Sequence, residues 1–584
     1  MNKSSIFSLL SLLLLFAIPA CKNEQPSGKK WTRSGAEILI RIPLEPISLN
    51  PLTAYDAHST FAQRFLYQFL EDLGPQTGQF QPQLLQESPT ITTLENGKVR
   101  YDFTIRPEAV WDDGQAVTGK DYLFSIKLIF NPHIPAYVFR PYMEFLEDIV
   151  LDPDNPKHFY VITKRPYILA EEALVNILPV MPEHLLDPRG LMQKYSLSDL
   201  MNPQLADRFE QDPQLQAFAK SFTSDENNRA TKTLGSGPYY LEEWKAGERL
   251  VFAKKENWWG DALAEKNELL RAYPSRIILK PVKDATAAAS MIRAEEVDIA
   301  DMLDPRDFTE MKNDSSLNQI YSFEAPLTLR YYFIYINNQN PKLNDPRVRR
   351  ALAHLTNTQQ IIDDVFYGLG EPISTPILPD KDYYAKNLPP IPYDVEKAQI
   401  LLSEAGWTDS DGNGVIDKKI NGQKVEMKLS LLVTPHETSQ QIALLLKEST
   451  QKAGVEIDIQ TMDFKALRKR LNTRDYELAN GALSMQPALD DLAQLWLTEN
   501  SQAGGMNRTF FGSKETDQLI EEINRTLDKP KRDKLYKVFQ KLWYEEQPVI
   551  NIMAARSRIA LHRRLQAFTS FVPPGYYPMQ YQAE

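Results

Sequence analysis

The sequence predicts an α/β protein of two lobes. Three observations carry that expectation. The chain has 584 residues, more than one hydrophobic core takes up, so at least two lobes are needed. Its composition, 42% hydrophobic and 24% charged, is that of an ordinary globular protein. Residues 428–433 and 454–459 read as strands on either side of an amphipathic helix over 438–453, a β-α-β unit that implies parallel pairing. The net charge of −11 argues against a nucleic-acid binder, because phosphate contact needs clustered Lys and Arg. Prolines outnumber glycines 40 to 24, which predicts fixed turns and ordered connections rather than flexible linkers.

Residues 6–20 are almost unbroken apolar sequence behind a weakly basic start. The run is too short for a comfortable membrane span and fits the apolar region of a signal peptide. It ends in Ile18-Pro19-Ala20-Cys21, which resembles a bacterial lipobox, although Pro19 stands where a small residue is usual. Two other readings stay open: a signal peptide cut near Ala20 without lipidation, and an N-terminal anchor helix. Cys21 is the only cysteine, so its lipidation leaves no thiol for disulfides or catalysis. Residues 22–34 are polar and read as a tether. The expected order is therefore a signal peptide over 1–20 and a lipidated tether over 21–35, with acyl chains holding the protein at a membrane.

Folded sequence begins near Glu37. Residues 38–42 are a strand candidate, followed by Leu44-Glu45-Pro46-Ile47-Ser48-Leu49-Asn50-Pro51. Phe61, Phe65, Leu66, Phe69, Leu70 and Leu73 have helical spacing, which predicts a helix over 60–73 with one apolar face. Residues 101–105 alternate like a strand, Trp111-Asp112-Asp113-Gly114 is a turn, and Thr118-Gly119-Lys120-Asp121 is a capping-box variant that opens an amphipathic helix. Gly235-Ser236-Gly237-Pro238 is a turn in front of an aromatic strand over 239–244. Lys245-Ala246-Gly247-Glu248 then closes a hairpin onto a strand over 249–255. A strand over 277–282 precedes an alanine-rich helix over 286–294 and a short strand ending at Ala300. Asp345-Pro346 supplies an N-cap and a first-turn proline. A helix over 394–406 starts at Asp394 and ends at Gly406. Asp409-Ser410-Asp411-Gly412-Asn413-Gly414 matches the first half of an EF-hand loop, but Ile420 stands where the bidentate Glu belongs, so a turn is the reading and calcium the alternative. Residues 532–546 read as a helix and 548–552 as a strand.

The histidines His58, His133, His158, His184, His354, His436 and His562 are scattered, and no H-E-x-x-H, C-x-x-C or paired histidine offers a metal site. There is neither a G-x-S-x-G elbow nor a G-x-x-x-x-G-K-[ST] phosphate loop. The sequence nominates no catalytic residue, no metal ligand and no cofactor. A secreted hydrolase using two carboxylates and an envelope lipoprotein with a degenerate, closed cleft stand as alternatives to a binding protein.

Six blocks together resemble the extracytoplasmic solute-binding proteins of ABC importers, family 5, which includes oligopeptide-, dipeptide- and nickel-binding members. Residues 44–51 are similar to the family's E-P-x-S-L-D-P, with Asn50 for Asp. Phe103, Ile105, Arg106, Val110, Trp111, Asp113, Gly114, Thr118, Asp121, Phe124 and Ser125 match F-x-L-R…V-x-W-x-D-G-x-x-x-T-A-x-D-V-x-F-S. Residues 235–260 resemble the family's G-T-G-P-Y hairpin and N-x-x-Y-W-G, and residues 295–300 its G-E-V-D-I-A. Asn337, Asp345, Arg347, Val348, Arg349, Ala351, Leu352, Gly368, Gly370 and Pro372 fit the next block, and residues 393–407 fit Y-D-x-E-K-A-x-x-L-L-x-E-A-G-W.

The resemblance implies a two-lobe periplasmic-binding-protein fold of the large class, with a ligand cleft between the lobes. Lobe I is expected over 36–282 plus 550–584, with a subdomain over about 52–165, and lobe II over 283–549, the first crossing lying near residues 281–284. It implies a monomeric, non-catalytic receptor in the cell envelope, on the periplasmic or cell-surface face, whose partners are a small solute, the permease subunits and, through Cys21, the membrane. Peptide is the expected solute, held extended by main-chain hydrogen bonds; a sugar, opine or metal chelate is the alternative. The implied ligand contacts are Glu45, Pro46 and Ile47 from the first lobe and Leu483, Ser484 and Gln486 from the second. Leu483 stands where the family has Trp, and Gln486 where it has the Asp that pairs with the peptide ammonium. Arg474 reads either as a partner for a ligand carboxylate or as a solvated basic residue.

Overall fold

The computed structural model describes residues 36–229, 235–485 and 489–584. The expected signal segment, Cys21, the tether and Gln486 lie outside the described residues.

β1 (Glu37–Ile42) places Ile38, Ile40 and Ile42 in the core. α1 (Ala57–Leu66) follows, with the Asp56 carboxylate accepting from the His58 and Ser59 amides. The helix expected over 60–73 stops at Leu66. The Leu66 carbonyl, which would accept the next helical bond, accepts instead from the Gly237 amide at 2.9 Å. Residues 71–73 then pair as a strand with 80–82.

A subdomain sheet comes next: β2 (Thr90–Thr93), β3 (Val99–Thr104), β4 (Leu146–Leu151) and β5 (His158–Thr163), all antiparallel in the order β2-β3-β5-β4. α2 (Gly119–Phe130) lies over it, and the capping box reads as predicted, with the Asp121 carboxylate accepting from the Thr118 amide at 2.9 Å. Phe103, Phe159 and Tyr122 stack in its core. α3 (Ala170–Asn176) leads away from this sheet.

The predicted hairpin is β6 (Tyr239–Lys245) and β7 (Arg249–Lys254). Lys245 pairs with Arg249, leaving Ala246, Gly247 and Glu248 as the loop, with Gly247 at φ 72°. β8 (Arg276–Pro281), β9 (Ile299–Ala300) and β10 (Tyr321–Glu324) complete the first sheet with the C-terminal β17 (Ile559–His562), in the order β10-β17-β9-β1-β8-β7-β6. β1 sits inside it, parallel to β8 and β9.

The second sheet runs β12-β16-β11-β15-β13-β14. Its strands are β11 (Leu327–Ile336), β12 (Gly370–Pro372), β13 (Lys428–Val433), β14 (Glu456–Thr461), β15 (Leu478–Ser484) and β16 (Val549–Arg556), after which β17 (Ile559–His562) rejoins the first sheet. The helix Glu437–Gln451 bridges β13 and β14, which pair in parallel as the β-α-β pattern predicted.

The chain changes sheet later than expected. Strands at 299–300 and 321–324 still belong to the first sheet, so the crossings fall at 325–326 and 557–558 rather than near 281–284 and 550. Buried groups account for it. Arg41 donates from Nε to the Val282 carbonyl at 2.8 Å and from Nη1 to the Asp301 carbonyl at 2.7 Å. Asp298 accepts from the Leu39 amide at 2.7 Å and pairs with Arg564. Residues 282–301 are thereby tied to β1 and to the C-terminal segment before the chain crosses.

The turn at 235–238 is held by close approach. A β-carbon on Gly235 would sit 1.7 Å from the Leu66 carbonyl oxygen, and one on Gly237 would sit 2.6 Å from the Leu66 carbonyl carbon. Both obstacles are backbone, which cannot swing aside. Gly237→Ala is therefore expected to lower stability by at least about 1–3 kcal/mol, read as a lower urea midpoint with an unchanged slope.

Candidate functional site

The two crossings bring one end of each sheet together. β11 starts at that junction, just after the first crossing, and β16 ends there, just before the second. β15 runs antiparallel to β11, so Ser484 pairs with Arg330 at the same end, and β13, parallel to β15, directs Val433 there too. From the first lobe, the segment after β1 reaches the same region. Ligand crevices of open α/β sheets form at such strand ends, where loops and unpaired backbone collect.

Of the three expected first-lobe contacts, Ile47 alone turns outward, at 76% exposed, while Pro46 is buried. Leu44 is also exposed and was not nominated from the sequence. Glu45 is fastened away: its carboxylate accepts from the Trp244 indole and from the Gly247 amide, the latter at 2.9 Å. It locks the β6–β7 loop onto the segment, with each carboxylate oxygen taking one of these bonds. The sequence could not show this, because the partners lie about two hundred positions on.

In the second lobe, Leu483 pairs across to Tyr331 and is half-buried, while Ser484 is exposed beside Arg330. Arg474 does not join them. It precedes β15 and so lies at the opposite end of that strand, with φ at 61°. Its Nη1 donates to the Leu471 and Asn472 carbonyls, and its Nη2 to those of Asn500, Gln502 and Gly505. Arg474 is a clamp on the 500–505 loop, so the carboxylate-partner reading gives way to a structural one.

The expected turn at 409–414 is self-satisfied. Asp409, Asp411 and Asp417 bring oxygens within 4.8 Å of one another. Yet Asp409 accepts from the Gly412, Asn413 and Gly414 amides, and Lys424 Nζ lies 2.5 Å from Asp411 and 3.4 Å from Asp417. Ile420 at the twelfth position belongs to a hairpin strand.

A second feature escaped sequence reasoning. The segment entering α3 crosses onto the second lobe: the Ile168 amide donates to the Asn524 carbonyl at 3.0 Å, and the Tyr167 hydroxyl to Asp491 at 3.3 Å. Behind it lies a group of acids, Asp490 buried and Glu171 and Glu172 half-buried. Glu172 Oε2 is shut off from solvent without a hydrogen-bond partner, and burial pushes its pKa up to about 7, against the Leu489 amide and Lys381. Asp490 is pushed up to about 6 by burial, with Lys381 and the Tyr383 hydroxyl, 2.9 Å away, opposing the rise. Glu171 is also raised by burial, against Arg532.

Carboxyls raised in this way bind protons more readily in the docked state than when free. Docking of α3 is strongest below the ordinary carboxylate pKa and is lost progressively as pH rises through about 6 to 7. Thermal melts from pH 5 to 8 are expected to show stability falling with pH, and Glu172→Gln is expected to flatten the upper part of that slope. An unchanged profile in the variant would place the proton elsewhere.

No helix among the described residues is long and apolar enough to cross a membrane. In sequence, the chain is 24% identical over 580 residues to the oligopeptide-binding protein AppA of Bacillus subtilis, covering 97% of this chain and 96% of that protein. It is 22% identical over 533 residues to the glutathione-binding protein GsiB of Salmonella typhimurium, covering 90% and 91%. The solved AppA structure, in complex with a nonapeptide, superposes with a TM-score of 0.65 at 21% identity, covering 94% of this chain and 99% of that one. NikZ of Campylobacter jejuni, in complex with Ni(L-His), gives 0.65 at 20%, covering 94% and 100%. Residues 79–505 match the model of the bacterial extracellular solute-binding proteins, family 5 Middle, which is most of the chain. With the two-lobe α/β architecture described above, this chain belongs to the family 5 bacterial extracellular solute-binding proteins, the substrate-binding components of ABC importers.

Proposed function

We propose that this protein captures extended peptides between its lobes and delivers them to a membrane permease, tethered by a lipid on Cys21. One observation carries the peptide reading. β15 pairs with β11 as far as Ser484, but its pairing with β13 ends at Ala479. Over residues 481–484, therefore, one edge of β15 has no strand partner among the described residues. An extended peptide laid along that edge would supply the missing ladder, with affinity from main-chain bonds that are blind to side-chain identity. AppA, similar along nearly its whole length, is named for oligopeptides. GsiB is named for glutathione, itself a small peptide, while NikZ, solved with Ni(L-His), keeps a metal chelate as the second reading.

The lipid reading rests on the apolar run over 6–20 ending at Cys21. Cys21→Ser is expected to move the protein from the membrane to the soluble fraction and to abolish palmitate labelling. Labelling that persists would exclude lipidation at this residue.

Native mass spectrometry of the purified protein, with co-purified ligand released and sequenced, tests the solute. A ladder of heterogeneous short peptides is expected; a single non-peptide mass would overturn the peptide reading and leave the importer role. For a bound pentapeptide, one backbone N-methylation over the paired stretch is expected to weaken binding about tenfold, the worth of one lost hydrogen bond. Conservative side-chain changes are expected to cost less.

A further inference from the structure

We propose that the junction selects solutes presenting an anionic group, a carboxylate foremost, and that Arg330 receives it. This rests on reading the junction as the ligand cleft. Arg330 lies near the start of β11, directly across from Ser484, on the paired side of β15 and one strand width from its open edge. It is exposed and, among the described residues, makes no hydrogen bond or ion pair. Its one close partner is the Tyr332 ring, whose centroid lies 5.2 Å from the guanidinium carbon. Residues 330 and 332 share a face of the strand, so the ring orients the cation while leaving its N–H edge for a bidentate acceptor.

The surroundings sharpen the charge. Arg558, at the second crossing, is the other guanidinium near Tyr332. Its Nε donates to the Leu303 carbonyl, and its Nη groups make no hydrogen bond among the described residues. Burial pulls its pKa down, with Tyr332 and Asp304 opposing. Glu371 pairs with Arg556 at 3.1 Å, Asp304 caps a helix through the Arg306 and Asp307 amides, and Glu45 holds the β6–β7 loop. Two guanidiniums with N–H groups to spare among the described residues thus stand by one tyrosine ring at the junction. An exposed guanidinium gains little from an ion pair in open water, but lobe closure over a ligand excludes that water and strengthens the bond.

Calorimetry on the full-length protein in detergent tests this with three probes: acetyl-Ala-Ala-Asp-Ala-Ala-amide, its Asn isostere and citrate. The wild type is expected to hold the Asp peptide about tenfold or more tighter than the Asn peptide, a preference that shrinks with added salt. Arg330→Gln is expected to abolish the preference by weakening the Asp peptide toward the Asn peptide, with an unshifted melting temperature reporting an intact fold. Arg330→Lys is expected to keep part of it. Equal affinity for the two peptides in the wild type, or an undiminished preference in Arg330→Gln, would overturn the inference and leave the peptide reading standing. Citrate held in an Arg330-dependent manner with neither peptide bound would do the reverse, and no binding of any probe would overturn both.

Discussion

Arg41 carries a guanidinium buried within the first sheet, and the lobe junction is laid out around its two carbonyl partners. A charge in that position is tolerable only when its donors are taken up. Val282 supplies one acceptor just beyond β8 and Asp301 the other just beyond β9, so the strands flanking β1 are held at their ends. The Asp301 carboxylate, fully buried, is pushed up to about 6 and accepts from the Tyr576 hydroxyl at 3.2 Å. The C-terminal segment is thus drawn into the same arrangement. With 282–301 fixed in this way, the chain crosses to the second lobe only after β10, and the crossings place β11 and β16 side by side.

That adjacency decides what the junction presents. β11 takes β16 on one side and β15 on the other, and β15 outruns β13 by several residues. An unpaired edge left over at the end of a central strand is a ready template for another chain. On the paired side of β15, Arg330 of β11 stands open beside Ser484, and on the first lobe Leu44 and Ile47 are outward. The first lobe's acid, Glu45, serves its own hairpin. In the proposed reading, backbone provides the unselective part of recognition and a few side chains the selective part.

The docking of α3 onto the second lobe adds a separate constraint. Glu172 and Asp490 meet behind it with Lys381, in surroundings that favour their neutral forms. Two acids sharing one nearby cation in a dry interface hold protons at mild pH because neither can be fully hydrated. The interface therefore carries a dependence on acidity that the strand-edge site does not share.

Where partners lie within a few residues, the sequence was sufficient. The Thr118–Asp121 box, the Asp345 and Asp394 caps, the hairpin over 239–254 and the β-α-β unit over 428–461 all depend on contacts that local spacing specifies. Block resemblance extended that to the family. The tertiary structure alone decided the positions of the crossings, the end of α1 at Leu66, the clamp role of Arg474 and the engagement of Glu45. It also decided that Arg330 stands open beside Ser484. Each of these depends on which donor reaches which acceptor across tens to hundreds of positions, a matter of register and packing that no local pattern encodes.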